Sequence, residues 1–386
     1  MECTIIGAGA SGILAALEIK SKNKNIDVTL IEKNKIIGKK LLATGNGRCN
    51  LGNNIINDNS YNKHFLNEEI PPYNALFWND LLKKYGIFTR NIENLVYPYS
   101  LSAKTLVDHF SFLLRKYKIN VLCEEKFLNY ERKGDKYEII LSNKKIISDI
   151  LVISSGAKSM KCYGSDGSIF DILNNHGYKI NDLFPGLCPI KIKEKVSEIE
   201  NERVKCKVTL LDDSKAIYEE TGEVIFKKDA LSGIAIFNCS SIIKRKRILK
   251  PIIKLDLFPE YELDKIIEQL NNDYKEYGNA FLEHIFTKRM SNFILKKTKN
   301  SSLEEFVKIS KNLNFEYNEN YGFDYSQVTI GGVDLSNLDI NLMSKHEKNL
   351  FIIGEALDVD GLCGGYNLMH AFYSAAKVAK FISQIQ

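Results

Sequence analysis

Gly7-Ala8-Gly9-Ala10-Ser11-Gly12 has the G-x-G-x-x-G spacing of a dinucleotide-binding turn. The first glycine of such a turn permits tight reversal, the second lets the backbone approach a pyrophosphate, and the third lets helix and strand pack closely. Glu32 follows Gly12 by 20 residues, where an acid can bind ribose hydroxyls. The residues around them supply the required context. Cys3–Ile6 reads as a short apolar strand, Ser11–Lys20 as a helix with Ile13, Leu14, Leu17 and Ile19 near one face, and Asp27–Ile31 as a second strand. The spacing predicts a β-α-β unit whose helix N-terminus offers unpaired N–H groups and a positive dipole end to phosphates. This unit by itself suits NAD or FAD.

Two further clusters bear on that choice. Gly38-Lys39-Lys40-Leu41-Leu42-Ala43-Thr44-Gly45-Asn46-Gly47-Arg48-Cys49-Asn50 follows the second strand. Its glycines can form an anion nest, and Arg48 can make charge-assisted bonds to phosphate. Gly354-Glu355-Ala356-Leu357-Asp358-Val359-Asp360-Gly361-Leu362-Cys363-Gly364-Gly365-Tyr366-Asn367 leads into a helix running to about Ile385. A helix N-terminus placed there would favour negative charge on a reduced flavin ring, a form of electrostatic preorganisation.

Between these clusters, Pro71–Tyr85 and Ser102–Tyr117 read as amphipathic helices. Asn120–Cys123, Lys126–Glu131, Tyr137–Leu141 and Lys144–Ile147 read as strands of a small antiparallel meander turning at Lys133-Gly134-Asp135. Asp149–Ser154 is a buried strand running into Ser155 and Gly156. The pattern then changes near Pro185-Gly186. The expected domains are 1–185, the first part of a cofactor-binding domain; 186–257, an inserted β-rich domain; 258–318, an inserted helical domain; and 319–386, the return to the first domain. The fold class is α/β.

The composition is that of a folded protein, with 44% hydrophobic and 26% charged residues and a net charge of +5. No apolar run approaches the roughly 18–20 residues that cross a bilayer, and the N-terminus has no signal-peptide pattern. The expectation is a cytoplasmic protein without membrane contact. The eight cysteines include no C-x-x-C pair, so free thiols and no metal site are expected. His64, His109, His176, His284, His346 and His370 lie outside the main motifs.

The fingerprint, the G-K-K-L-L-x-T-G-N-G-R-C-N run and the G-E-x-L-D-V-D-G-x-C-G-G-Y-N-L run, in this order, resemble the BaiN/RdsA family of NAD(P)/FAD-dependent oxidoreductases. Gly331-Gly332-Val333 matches its G-G-V stretch, and Ser344-Lys345 part of a second one. The resemblance implies a Rossmann-like FAD-binding domain of glutathione-reductase type with an inserted β-plus-helical region. It places the adenosine half of FAD against Gly7, Ala8, Gly9, Ala10, Ser11, Gly12, Glu32 and Lys33, with Phe127 reaching the adenine. Lys40, Thr44, Gly45, Arg48 and Asn50 would follow the pyrophosphate toward the ring. Gly354, Glu355, Tyr366 and Asn367 would face the ribityl chain and ring, and Ser155, Gly156, Asp358 and Gly365 complete the expected cofactor set. The implied reaction reduces a carbon–carbon double bond conjugated to a carbonyl, with NAD(P)H as transient reductant and uridine in ribosomal RNA among the substrates. The basic run Lys244-Arg245-Lys246-Arg247, with Lys288-Arg289 and Lys296-Lys297, is the expected RNA contact. The alternatives are a small-molecule enone reductase and an FAD-binding scaffold or sensor. Cys363 and Cys49 are the candidate proton donors. Two departures from the family pattern stand out. Phe226-Lys227-Lys228-Asp229-Ala230-Leu231-Ser232-Gly233-Ile234 lacks the family's His and Pro, and Met369 stands where the family has Gln.

Overall fold

The structure is a computed structural model describing residues 1–57, 59–62, 75–278, 282–298 and 302–385. His64 and the start of the helix expected from Pro71 lie outside the described residues. The chain divides into two compact units, Met1–Phe184 with Val328–Gln386, and Pro185–Gln327.

The first unit begins with β1 (Glu2–Ile6), α1 (Ala10–Lys22), β2 (Asp27–Ile31), β3 (Gly52–Asn53), α2 (Ala75–Lys84), β4 (Thr89–Ile92), β5 (Leu95–Pro98), α3 (Ala103–Lys116), β6 (Asn120–Leu122), β7 (Phe127–Lys133), β8 (Lys136–Leu141), β9 (Lys145–Ser148), β10 (Ile150–Ile153), α4 (Ser168–Asn175) and β11 (Ile180–Gly186). The second unit holds β12 (Ile190–Ile192), β13 (Arg203–Asp212), β14 (Lys215–Phe226), β15 (Ala230–Ser232), α5 (Ile234–Arg245), β16 (Pro251–Asp256), α6 (Leu263–Tyr277), α7 (Leu282–Ile285), α8 (Lys288–Lys297), α9 (Leu303–Lys311) and β17 (Leu313–Asn320). The first unit resumes with β18 (Val328–Val333), β19 (Leu350–Ile352) and α10 (Tyr366–Ile382).

Its core is a parallel sheet in the order β19-β10-β1-β2-β6. All four residues of β10 are fully buried, as a parallel strand covered on both faces requires. Every residue of α1 from Ser11 to Ile19 is buried, because the helix is covered by the sheet and by α3 and α10. Ile13 and Leu17 are each fully buried, worth about 1.5–3 kcal/mol apiece. The order reverses at β1, which has β2 on one side and β10 on the other. Ligands of open α/β sheets bind in the crevice beyond the strand ends at such a switch point.

Asn120–Leu122 corrects the expectation of a meander strand, since β6 pairs in parallel with β2. The chain returns to the sheet through α3, and a helical crossover delivers a strand in parallel. The meander itself is β7-β8-β9, antiparallel throughout, with Tyr130 and Tyr137 fully buried in it.

In the second unit, β12-β15-β14-β13-β16-β17 close into a barrel. The closing strand β17 straddles residue 318, and α6 to α9 form the excursion between β16 and β17. A helix, α5, interrupts the stretch read as β from residue 186 to 257. Its isoleucines resemble a strand run, but eight of its residues from Ala235 to Ile243 are buried, including Asn238, Ser240 and Ser241. Tertiary cover on several sides erased the helical periodicity.

Gly12 sets the closeness of α1 and β1. A Cβ there would lie 1.9 Å from the Gly7 carbonyl oxygen, so the helix would have to shift. Gly12→Ala is expected to destabilise the protein by about 1–3 kcal/mol, read as a lower denaturation midpoint.

Candidate cofactor site

The fingerprint occupies the crevice at the end of β1. Gly7 has a φ of +101°, and a Cβ on it would meet the Ser154 carbonyl oxygen at 2.6 Å. Ser154 in turn donates to the carbonyls of Ile6 and Gly7. Gly9 differs from both neighbouring glycines of the motif. Its φ is −83°, and a Cβ on it would meet nothing within 4 Å. Neither backbone conformation nor protein packing therefore calls for glycine there, whereas a ligand lying over the turn would. Gly9 is also the N-cap of α1 and supplies no side-chain cap, which leaves the first helical N–H groups for an anion.

Glu32 is nearly buried, and both carboxylate oxygens accept hydrogen bonds. One carboxylate oxygen accepts from the Ala8 N–H at 3.0 Å, the other from the Asn34 backbone and side chain at 2.8 and 2.6 Å. It thus fixes the fingerprint turn to the end of β2. Lys33 ion-pairs with Asp166 at 2.7 Å. Burial opposes charge on Asp166, yet hydrogen bonds from Lys33 and Ser168 hold its carboxyl well below the usual carboxylate range. Phe127 is nearly buried and packs parallel to Tyr130. It lies two residues beyond Glu125, whose N–H donates to the Glu32 carbonyl.

The loop after β2 folds as a tight helical turn over Leu41–Gly47, broken at Thr44, Gly45 and Asn46. Thr44 Oγ1 donates to the Leu41 carbonyl, and Asn50 Oδ1 accepts from the Gly52 N–H. Arg48 is exposed. Cys49 is completely buried, and burial pushes its thiol up to about 11. Cys363 is partly exposed on the last loop.

Lys40 and Glu355 join the two chain ends at 2.8 Å. Lys40 also donates to Ser159 Oγ at 2.6 Å. The second Glu355 oxygen accepts from Ser159 Oγ at 2.7 Å and from the Thr329 N–H at 3.0 Å. Thr329 Oγ1 accepts from the N–H groups of Lys158 and Ser159. Sequence reading missed Ser159 and Thr329; the only signal was their place beside Gly156 and Gly331.

The last loop is pinned both by its own residues and by residues distant in sequence. Asn367 bonds both the N–H and the carbonyl of Gly361. Asp358 accepts from Asn62 and Asn181. Tyr366 donates to the Ile55 carbonyl. Gly354 has a φ of +69°, and a Cβ on it would approach Ser11 Oγ to 2.5 Å, so this loop touches the fingerprint helix. Gly365, the N-cap of α10, has a φ of +93° and no side-chain cap. A Cβ there would lie 2.7 Å from Gly52. The Met369 sulfur accepts from the Asn53 N–H, so the departure from Gln is absorbed by a contact to β3. His370 is buried in the same helix, and burial pushes it down to about 4, leaving it neutral at pH 7.

These residues fit FAD. Two uncapped helix N-termini belong to the same unit, the Gly9 position is clear, and Ser155 Oγ is buried without a hydrogen-bond partner among the described residues. A pyrophosphate and a ribityl chain supply the acceptors and donors such groups require.

Solved structures share the architecture. The open conformation of a flavocytochrome c3 fumarate reductase aligns over 99% of this chain and 78% of its own, with a TM-score of 0.51 and 12% identity. A 3-ketosteroid-Δ4-(5α)-dehydrogenase from Rhodococcus jostii RHA1 aligns over 100% and 97%, with a TM-score of 0.50 and 12% identity. Among curated proteins, the 3-dehydro-bile acid Δ(4,6)-reductase of Clostridium scindens is 28% identical over 97% of this chain and 98% of its own. The ribosomal RNA dihydrouridine synthase of Escherichia coli K12 is 24% identical over 97% and 96%. Fold, site and relatives define an FAD-dependent oxidoreductase with a Rossmann-type cofactor domain. Residues 1–381 match the model described as HI0933-like protein Rossmann domain, and the chain belongs to that family.

Two substitutions test the site. Gly9→Ala is expected to leave the melting temperature of the apoprotein unchanged while weakening FAD binding about 5- to 150-fold, from an overpacking cost of about 1–3 kcal/mol against the ligand. Glu32→Ala is expected to weaken FAD retention about tenfold or more, since hydrogen bonds to charged groups contribute about 1.5–3 kcal/mol. Titration of the apoprotein with FAD measures both. An unchanged dissociation constant for Glu32→Ala would remove Glu32 from the ribose.

Proposed function

We propose that this protein reduces a carbon–carbon double bond conjugated to a carbonyl, with NAD(P)H as transient electron donor. The observation that carries this reading is the near-full-length match to two relatives whose names share that chemistry. A Δ(4,6)-reductase of a 3-dehydro bile acid saturates carbons conjugated to a ketone. A dihydrouridine synthase saturates the uracil bond conjugated to a ring carbonyl.

Bound FAD would supply hydride to the substrate's β-carbon. The protein's own groups hold and polarise the site. With FAD bound, the uncapped starts of α1 and α10 would stabilise negative charge on the pyrophosphate and on the reduced ring, respectively. Gly7 to Gly12, Ser155 and Gly156 would hold the phosphates, and Glu32 the ribose. Lys40 and Glu355 fix the loops on either side. Arg48, Tyr366 and Gly365 would stand toward the ring. No second G-x-G-x-x-G follows a later strand, so NAD(P)H would dock transiently rather than on a domain of its own.

For the substrate, the first reading is a uracil in ribosomal RNA. It is supported by Lys244–Arg247, where α5 ends, with Lys246 and Arg247 exposed beside Leu249 at 91% exposure. A buried uracil must leave its stack before a flavin can reach it, so unfolded or immature RNA is the fitting form. A second reading, a small-molecule enone, is favoured by two other basic groups. Arg289 donates to the carbonyls of Glu198 and Glu200, and Lys296 pairs with the Glu198 carboxylate, so neither is held ready for a phosphate.

The two substrates separate experimentally. If RNA is the substrate, ribosomal RNA from cells lacking the protein loses one or more dihydrouridines, and binding of RNA fragments weakens steeply with salt. If dihydrouridine is unchanged and a 3-keto dienone reoxidises the NAD(P)H-reduced protein, the small-molecule reading stands. Reoxidation by neither class of acceptor overturns the enone chemistry itself.

A further inference from the structure

Reduction of a conjugated double bond needs a proton as well as a hydride, and the two candidate cysteines are unequal donors. Cys49 is fully buried with its thiol pushed up, so it cannot reach a substrate without opening the loop. A different acid stands between the two cofactor-loop motifs.

The strand β5 carries Tyr97. It pairs with β3 through Gly52–Val96 and Asn53–Leu95. The β3 strand in turn abuts the start of α10. Asn53 Nδ2 donates to the Gly364 carbonyl at 3.1 Å, and Gly365 stands against Gly52 so closely that a Cβ would lie 2.7 Å away. On its other side, Tyr97 reaches the loop after β2. A Cβ on Gly45 would lie 3.5 Å from Tyr97 Cε1. The charges felt by the phenol come from Arg48 of that loop, Cys363 of the last loop, and Glu93 of the β4–β5 turn. Tyr97 is therefore adjacent to both motifs at the ring end of the site. It is partly exposed, and its hydroxyl makes no hydrogen bond among the described residues.

We propose that Tyr97 is the catalytic acid that protonates the α-carbon of the substrate. This assignment rests on the enone-reductase reading. Two electrons enter from NAD(P)H by way of FAD, and hydride addition at the β-carbon moves the π pair onto the α-carbon and carbonyl oxygen. The Tyr97 O–H bond then breaks, its proton forms the new α-carbon C–H bond, and the carbonyl is restored. Water returns a proton to the phenolate. The surroundings suit the task. Burial pushes the phenol up from its ordinary value, Arg48 pulls it down, and Cys363 and Glu93 push it up, so the group is a neutral donor at pH 7. Arg48 is placed to stabilise the transient phenolate.

The test compares the FAD-loaded protein with Tyr97→Phe and Cys363→Ser. The first readout needs no substrate. A phenol beside the flavin quenches its emission by electron transfer, so Tyr97→Phe should brighten bound FAD while its dissociation constant stays the same. The second readout is reoxidation of the pre-reduced protein by a 3-keto dienone in D2O. Tyr97→Phe should slow it about 10²–10⁴-fold and scramble the face of deuterium addition at the α-carbon, with reduction by NAD(P)H unaffected. Unchanged emission overturns the placement, whatever the substrate. Brightened emission with normal, stereospecific α-deuteration overturns the acid role, as does a defect that appears in Cys363→Ser and not in Tyr97→Phe. Failure of the unaltered protein to reduce any conjugated substrate refutes the enone reading and this role with it, while the emission still decides whether Tyr97 faces the ring.

Discussion

The Glu355 carboxylate ties together the loops that flank the cofactor site. It gathers Lys40 from the loop after β2, Ser159 from the loop after β10, and the Thr329 N–H from β18. Lys40 and Glu355 are 315 residues apart in sequence, yet their contact sets where three loops stand. Both side chains are about a quarter exposed, so the Coulomb attraction is partly screened and little net stability follows from the pair alone. Its importance is geometric. A carboxylate with both oxygens occupied has one orientation, and the loops bound to it inherit that orientation. Removing one partner would leave the others half-buried and unpaired, which costs more than the pair contributes.

Close backbone approach is the second constraint. Gly7 against Ser154, Gly12 against Gly7, Gly354 against Ser11 and Gly365 against Gly52 all leave less than 3 Å for a Cβ. These contacts bring the ends of β1, β10 and β19 and the starts of two helices together with only the small side chains of Ser11 and Ser154 between them. Glycine at these positions leaves a surface poor in side chains around the fingerprint turn. A pyrophosphate is recognised by such a surface with little side-chain entropy to lose.

Much of this was legible in the sequence because its causes are local. The fingerprint, the apolar run of β1 and the position of Glu32 define a β-α-β unit by spacing alone, and that unit is present in the expected register. The Gly-Asp turn between β7 and β8 announced its hairpin. What could not be read depends on partners distant in sequence. Asn120–Leu122 looks like any short strand, and only the crossover through α3 assigns it to the parallel sheet. The isoleucines of α5 mimic a strand until the barrel wraps them. Ser159 and Thr329 are ordinary residues until Glu355 reaches them. Lys33 and Asn367, expected to face a ligand, also bond Asp166 and the Gly361 backbone, contacts that no local pattern announced. Tyr97 lies in a stretch with no motif, and only the pairing of β5 with β3 brings it to the site.

The discontinuity of the first unit bears on how a newly made chain matures. The strand β10 is translated long before β19, its neighbour, with about 200 residues between them. At roughly 5–20 residues per second, the ribosome needs on the order of 10–40 s to cross that gap. Throughout that interval one border of the parallel sheet stays unpaired, a condition that invites association with other nascent chains. The barrel has its own hydrogen-bonded closure and can form in the meantime. The helix α10, which spans Tyr366–Ile382, follows β19 and so packs on α1 only after the same interval.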